Sequence, residues 1–423
     1  MALKLRKIVE YSSFLIITGV YLTVTVPNFF TSIYAEDGAR YLQDALDTGG
    51  INNLFKTLAG FADVPARIIA AIASISPPEM YPVSLGVLII LVITLCEIVV
   101  FDSVLPMLKN RTLAYLFASF LLVLPIARFE SIGNVTNLHF YFFTSSTFIL
   151  LNFLFTSKIS IFQGIFILLA SLSVPLTLFL FVFLFCKGNP RKYFSLDLKS
   201  LLINPFIILA VGSFTNILIS WGDTLDRAPK SLNSVLKVVY LYLDRIVGST
   251  FIPLWGRVYS DKDAVGVSNS IFNSIGFRLI AAILIFILLL LFSLKLSKDS
   301  RDFALFLLGS SVLFGALLGF FFNLEPRYCI FPSYLLAFVF FYLISLQKKW
   351  LFEPVLLVYL LLLTINASND IASRQNSSDW TSQVAIARAE CRNERNQTSI
   401  RIRIAPFRPD AYWSIRLPCS RII

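Results

Sequence analysis

Residues 81–105 read YPVSLGVLIILVITLCEIVVFDSVL. A helix needs about 20 predominantly apolar residues to cross the hydrocarbon core of a bilayer, and this run exceeds that length. It lacks the two-residue alternation of a barrel strand. Further runs rich in Leu, Ile and Phe lie near 9–28, 112–127, 139–156, 159–186, 201–220, 274–294, 303–323, 329–346 and 351–366. The composition agrees: of 423 residues, 57% are hydrophobic and only 14% charged, with a mean hydropathy of +0.77. Only helices and closed barrels satisfy the backbone in lipid. The sequence therefore predicts an all-α integral membrane protein.

The net charge of +11 does not point to nucleic acid, because Lys and Arg fall mostly in short loops, where they set topology. Lys4, Arg6 and Lys7 precede the first apolar run, and no small-residue cleavage site follows it. That run reads as a retained anchor with a cytoplasmic N-terminus. Lys109/Arg111, Lys158, Lys187/Arg191/Lys192/Lys199, Lys295/Lys298/Arg301 and Lys348/Lys349 are expected on the same side. Segment 159–186 has basic residues at both ends, is long for one span and short for two, and carries Ser173-Val174-Pro175 at its middle. Proline breaks helical hydrogen bonding, so the segment is expected to form a re-entrant helical hairpin; one long tilted helix is the alternative. The expected count is about nine transmembrane helices plus that hairpin.

This organisation makes 1–366 a transmembrane domain and 367–423 an extracytoplasmic tail. It also places loop 29–80, turn 128–138 and loop 221–273 outside. Within 29–80, Arg40–Leu46, Ile51–Ala59 and Pro65–Ile75 read as short amphipathic helices. The tail is polar, holds nine arginines, and alternates at Ser399–Ile404, which suggests a small α+β cap. Cys391 and Cys419 both lie in it and are disulfide candidates, since the outside compartment is oxidising.

Four polar groups fall on the predicted outer side. They are Glu36-Asp37-Gly38 with Arg40; Asp63 with Arg67; Arg128, Glu130, Asn134, Asn137 and His139; and Glu325-Pro326-Arg327-Tyr328. Each has a structural alternative. Arg67 can pair with Asp63 one helical turn away, Asn134 and Asn137 can cap, and Arg327-Tyr328 can anchor at the interface. His139, the single histidine, argues against a His-rich metal site.

Taken together, Ala35-Glu36-Asp37-Gly38, Ala59-Gly60-Phe61, Pro65-Ala66-Arg67, Gly133–His139 and Glu325–Tyr328 resemble motifs of the GT-C class of polytopic membrane glycosyltransferases. Within that class the chain looks like the type-specific O-antigen glucosyltransferases of phage-borne serotype-conversion clusters. The resemblance implies transfer of a sugar, with glucose favoured, from a polyprenyl-phosphate carrier onto a lipid-linked O-antigen or other envelope glycan. It implies inversion at the sugar carbon and work at the periplasmic face of a bacterial inner membrane. Glu36 is then the expected base, with Asp37 orienting the acceptor or an arginine; the reverse assignment stays open. Arg67, Arg327 and Arg40, with Arg128 as a substitute, suit the carrier phosphate. Glu130, Asn134, Asn137, His139 and Tyr328 suit sugar and acceptor. No cofactor is required by this reading, a divalent cation being the one candidate. The expected partners are the lipid-linked donor and acceptor, the bilayer, and a donor synthase and flippase. A lipid-linked sugar flippase or transporter and a non-catalytic envelope assembly protein are the competing readings.

Overall fold

A computed structural model describes residues 2–58, 60–123, 132–187, 204–221, 233–251, 275–322, 326–346, 354, 356–357, 374, 377, 379–393, 397–407 and 412–423. Its apolar runs are helical. In chain order the main helices are α1 (Ala2–Thr25), α2 (Gln43–Thr48), α3 (Val64–Ala73), α4 (Tyr81–Leu108), α5 (Arg111–Val123), α6 (Leu138–Thr156) and α7 (Ile161–Ser173). They continue as α8 (Pro205–Ser220), α9 (Val235–Leu241), α10 (Ile275–Leu294), α11 (Lys298–Phe322), α12 (Pro326–Leu346), α13 (Trp380–Asn393) and α14 (Cys419–Ile422). Among the described residues, five stretches are long and apolar enough to cross a membrane: Leu5–Thr25, Pro78–Leu108, Val135–Thr156, Lys298–Phe320 and Tyr328–Leu346. Arg111–Val123, Pro205–Ser220 and Leu279–Leu294 are equally apolar but shorter. The run near 351–366 and most of loop 221–273 lie outside the described residues.

Local chemistry sets the helix ends. Ser160 and Gln163 form a capping box at the start of α7, and the Asn204 side chain accepts from Phe206 N to open α8. Segment 159–186 breaks at Val174, whose backbone is extended, and continues as a 3-10 helix, Pro175–Lys187. The proline thus divides the segment into two half-length helices that touch one another.

Many Phe residues pack against each other in the bundle interior. Phe117 meets Phe148, Tyr334, Phe338 and Phe341 edge-on, with ring centroids between 5.1 and 5.5 Å. Such pairs add about 0.5–1.5 kcal/mol beyond their buried area. Part of the aromatic content therefore holds α5, α6 and α12 together.

The polar tail folds as α13, a two-stranded antiparallel sheet of β1 (Ser399–Phe407) and β2 (Tyr412–Pro418), and α14. Ile400, Ile402, Ile404, Ile415 and Leu417 are buried and share one hydrophobic core with the helical bundle. The Cys391–Cys419 disulfide, Cα–Cα 5.6 Å, ties α13 to the end of β2. Trp380 donates from its backbone to Thr31 O at 2.9 Å and from Nε1 to Pro78 O at 2.7 Å. Arg388 pairs with Glu79, and Arg421 donates to Ser74 O at 2.9 Å. These contacts seat the tail on the 29–80 loop.

Candidate active site

The loop after α1 turns sharply and then winds as a π-helical stretch, Asp37–Leu42, into α2. Gly38 lies under β1, where an added Cβ would come 2.5 Å from Ile404 Cδ1 and 2.7 Å from Ile33 Cγ2. Ala405 N donates to Ile33 O at 3.0 Å, so the strand pairs with the chain just before the Glu36-Asp37 pair.

The two carboxylates have opposite surroundings. Asp37 is buried and fully engaged. Its Oδ2 accepts from Val135 N at 3.0 Å, and its Oδ1 accepts from Thr136 N at 2.9 Å and Thr136 Oγ1 at 2.8 Å. Burial pushes this carboxyl up to about 6, while Arg374 and the Thr136 and Val135 hydrogen bonds pull it down. Glu36 is half-buried, and its side chain has no hydrogen-bond or ion-pair partner among the described residues. One acid is fixed and the other is free to meet a ligand.

Arg374, buried at 4% exposure, completes the Asp37 site. Its Nη2 lies 4.0 Å from Asp37 Oδ2 and donates to Asn134 Oδ1 at 2.5 Å and Gly133 O at 2.9 Å. Tyr34 and Phe29 flank the guanidinium at 5.2 and 6.0 Å. Gly133 has φ +76, a region that favours glycine, and this lets the chain bend so that its carbonyl faces the arginine. Sequence reasoning missed Arg374, one of nine tail arginines with no motif around it. It comes from 241 residues beyond Gly133, so no local spacing could have found it.

A second network lies beside the first. Tyr41 OH donates to Asp63 Oδ2 at 2.6 Å, and His139 Nδ1 lies 3.8 Å from the same oxygen. Burial, then the Asp63 carboxylate, holds the Tyr41 phenol well above its ordinary range. Arg67 is fully buried: Nη1 reaches Asp44 Oδ2 and Asn53 Oδ1, each at 3.0 Å, and Nε donates to Ala62 O at 3.1 Å. Its ionic partner is therefore Asp44 rather than Asp63. Asp63 Oδ1, Arg67 Nη2 and His139 Nδ1 lack hydrogen-bond partners among the described residues. All three atoms are enclosed by protein.

The remaining predicted residues fall as follows. Arg40 is exposed on the turn after Asp37, with no ion pair among the described residues. Asn137 is buried in the 3-10 turn Val135–Asn137 that opens α6. Phe140 packs on His139 at 4.1 Å and on Tyr328 at 6.3 Å, which carries the site across to the start of α12. Arg327 is in that first turn, but its side chain lies outside the described residues, as do Arg128, Glu130 and Glu325 altogether. Among the described residues no three His, Cys, Asp or Glu side chains group as a metal site. Compared with known proteins, the chain matches no protein-family model and no curated protein.

Proposed function

We propose that this protein is a polytopic membrane glycosyltransferase of the GT-C type, moving a hexose, with glucose favoured, from a polyprenyl-phosphate carrier onto a lipid-linked envelope glycan. The observation that carries this reading is the asymmetric acid pair. Among the described residues the half-buried Glu36 side chain has no partner, beside an Asp37 locked to the 135–136 backbone and to Arg374. A general base must reach the acceptor hydroxyl in the right geometry. Glu36 has a carboxylate available for that, and Asp37 does not. The acceptor oxygen gives its proton to Glu36 as it bonds to the sugar carbon, and the carrier phosphate leaves with the bonding pair.

Asp37 and Arg374 position the turn that carries Asn134 and Asn137, and His139, less enclosed than Tyr41 and Asp63, offers a hydrogen bond to a sugar hydroxyl. Arg40 is the exposed cation nearest the acid pair in sequence and serves the departing phosphate, with Arg327 of the first turn of α12 as the second candidate. Arg67, fully buried, braces the loop through Asp44 and Asn53 rather than meeting a ligand. The finer topology belongs to the same proposal: nine spans with 159–186 re-entrant, an inner-membrane location, a cytoplasmic N-terminus and a periplasmic tail. A divalent cation is not required by it, and chelation tests that directly.

The test is to supply membranes containing this chain with polyprenyl-phosphoglucose and a lipid-linked glycan. New glycosidic bonds that vanish in Glu36→Gln are the expected result. Movement of unaltered lipid between leaflets would make the protein a flippase instead, and neither outcome would leave an assembly role.

A further inference from the structure

The outer face of the tail sheet is built from arginine. Alternation along β1 and β2 buries Ile400, Ile402, Ile404, Ile415 and Leu417 and turns Arg401, Arg403 and Arg416 to solvent. The strand register sets Arg401 directly opposite Arg416. Side chains so paired have Cβ atoms about 4.5–5.5 Å apart, and like charges there repel. Neither Arg401 nor Arg416 has an ion-pair partner among the described residues. Arginine is also disfavoured in short segments that must cross the membrane, yet residues 367–423 hold nine arginines against five acids.

The position of this face narrows its purpose. The Gln43 side chain clamps the Arg416 backbone from both sides, accepting from its N at 2.6 Å and donating to its O at 3.3 Å. Gln43 begins α2, which continues directly from the stretch starting at Asp37. The opposite face of the sheet closes over Gly38. An anion on Arg401 and Arg416 would therefore sit on the side of the sheet away from Gly38, next to the start of α2.

We propose that the Arg401–Arg416 face binds the diphosphate that joins a glycan to its polyprenyl lipid, tethering the acceptor to the cap that covers the loop of the acid pair. Two adjacent guanidinium forks offer paired hydrogen bonds to two adjacent phosphates. A bound diphosphate would also relieve the repulsion between them. The role of this ligand as acceptor rests on the glycosyltransferase reading; the binding itself does not.

The experiment titrates farnesyl diphosphate into the purified full-length chain in detergent. Wild type should bind with an affinity that falls as salt rises. The Arg401→Gln/Arg416→Gln variant should bind at least about tenfold more weakly, and Arg401→Lys/Arg416→Lys should keep part of the affinity, which shows that the sheet still folds. Glu36→Gln should bind as wild type does, so a failure of sugar transfer and a failure of this site give different results. Equal binding by wild type and the double Gln variant would overturn the proposal. So would loss of co-purified phosphatidylglycerol from that variant with diphosphate binding intact, because the face would then serve the bilayer surface. In a transfer assay the same variant should raise KM for the lipid-linked acceptor and leave KM for the donor unchanged.

Discussion

Two neighbouring carboxylates have different surroundings here because one is enclosed and the other only half-buried. Asp37 meets three hydrogen-bond donors and a buried arginine, whereas Glu36 meets none among the described residues. Glu36→Gln should therefore lower transfer by about 10²–10⁴-fold, the usual worth of a general base, with unchanged thermal unfolding of the purified protein. Asp37 gives a pH prediction. Its folded carboxyl titrates at about 6 instead of 3.8, so the folded state binds the proton more tightly than the unfolded chain. Stability contributed by this group falls as pH rises through that window. Activity should move the other way, because protonated Asp37 no longer holds Arg374 as an ion pair. The acid limb of the kcat/KM profile should lie near pH 6. Arg374→Gln removes a charge that pulls the Asp37 value down, so the limb should shift to higher pH; an unmoved limb would remove Arg374 from this role.

At the scale of elements, the site depends on the sheet lying flat on the loop. Gly38 is the contact point, with Ile404 and Ile33 occupying the volume a side chain would need. Gly38→Ala should cost about 1–3 kcal/mol through overpacking, read as a lower melting temperature. Adding Ile404→Val, which removes the nearest methyl, should restore part of it. The disulfide closes a separation of 28 residues between α13 and α14. In the chain-entropy account such a loop contributes about 3–4 kcal/mol. Cys391→Ser/Cys419→Ser should unfold the tail at lower temperature and, by releasing β1 from Gly38, depress transfer more than it depresses membrane insertion.

At the scale of the whole molecule, the described residues form five helices of spanning length and several shorter apolar ones around an aromatic interior, and the tail packs on the 29–80 loop. The proposed orientation predicts which ends are reachable. A membrane-impermeant maleimide should label Thr381→Cys in intact spheroplasts and Lys158→Cys only after the membrane is opened. The reverse pattern would put the tail and the acid pair in the cytoplasm.

Much of this was legible in the sequence. Apart from 351–366, most of which lies outside the described residues, the apolar runs located the helices, since burial in lipid demands long uninterrupted stretches. Their ends were off by as much as seven residues at α1, 9–28 against Ala2–Thr25. Val174-Pro175 marked the break in 159–186 because proline removes a helical donor wherever it falls. The alternation at Ser399–Ile404 marked β1 for a similarly local reason. Glu36-Asp37-Gly38 stood out as charge at a membrane exit, but nothing in the pair itself separates a fixed acid from a free one. That difference came from Val135, Thr136 and Arg374, which reach Asp37 from distant parts of the chain. Likewise Arg67 looked able to pair with Asp63 four residues earlier, and tertiary packing gave it Asp44 and Asn53 instead. Periodicity, length and backbone chemistry act between near neighbours and so can be read along the chain. Which charges meet, and which carboxylate is left open, depends on helices and a tail brought together from hundreds of residues apart, and only the tertiary structure decides that.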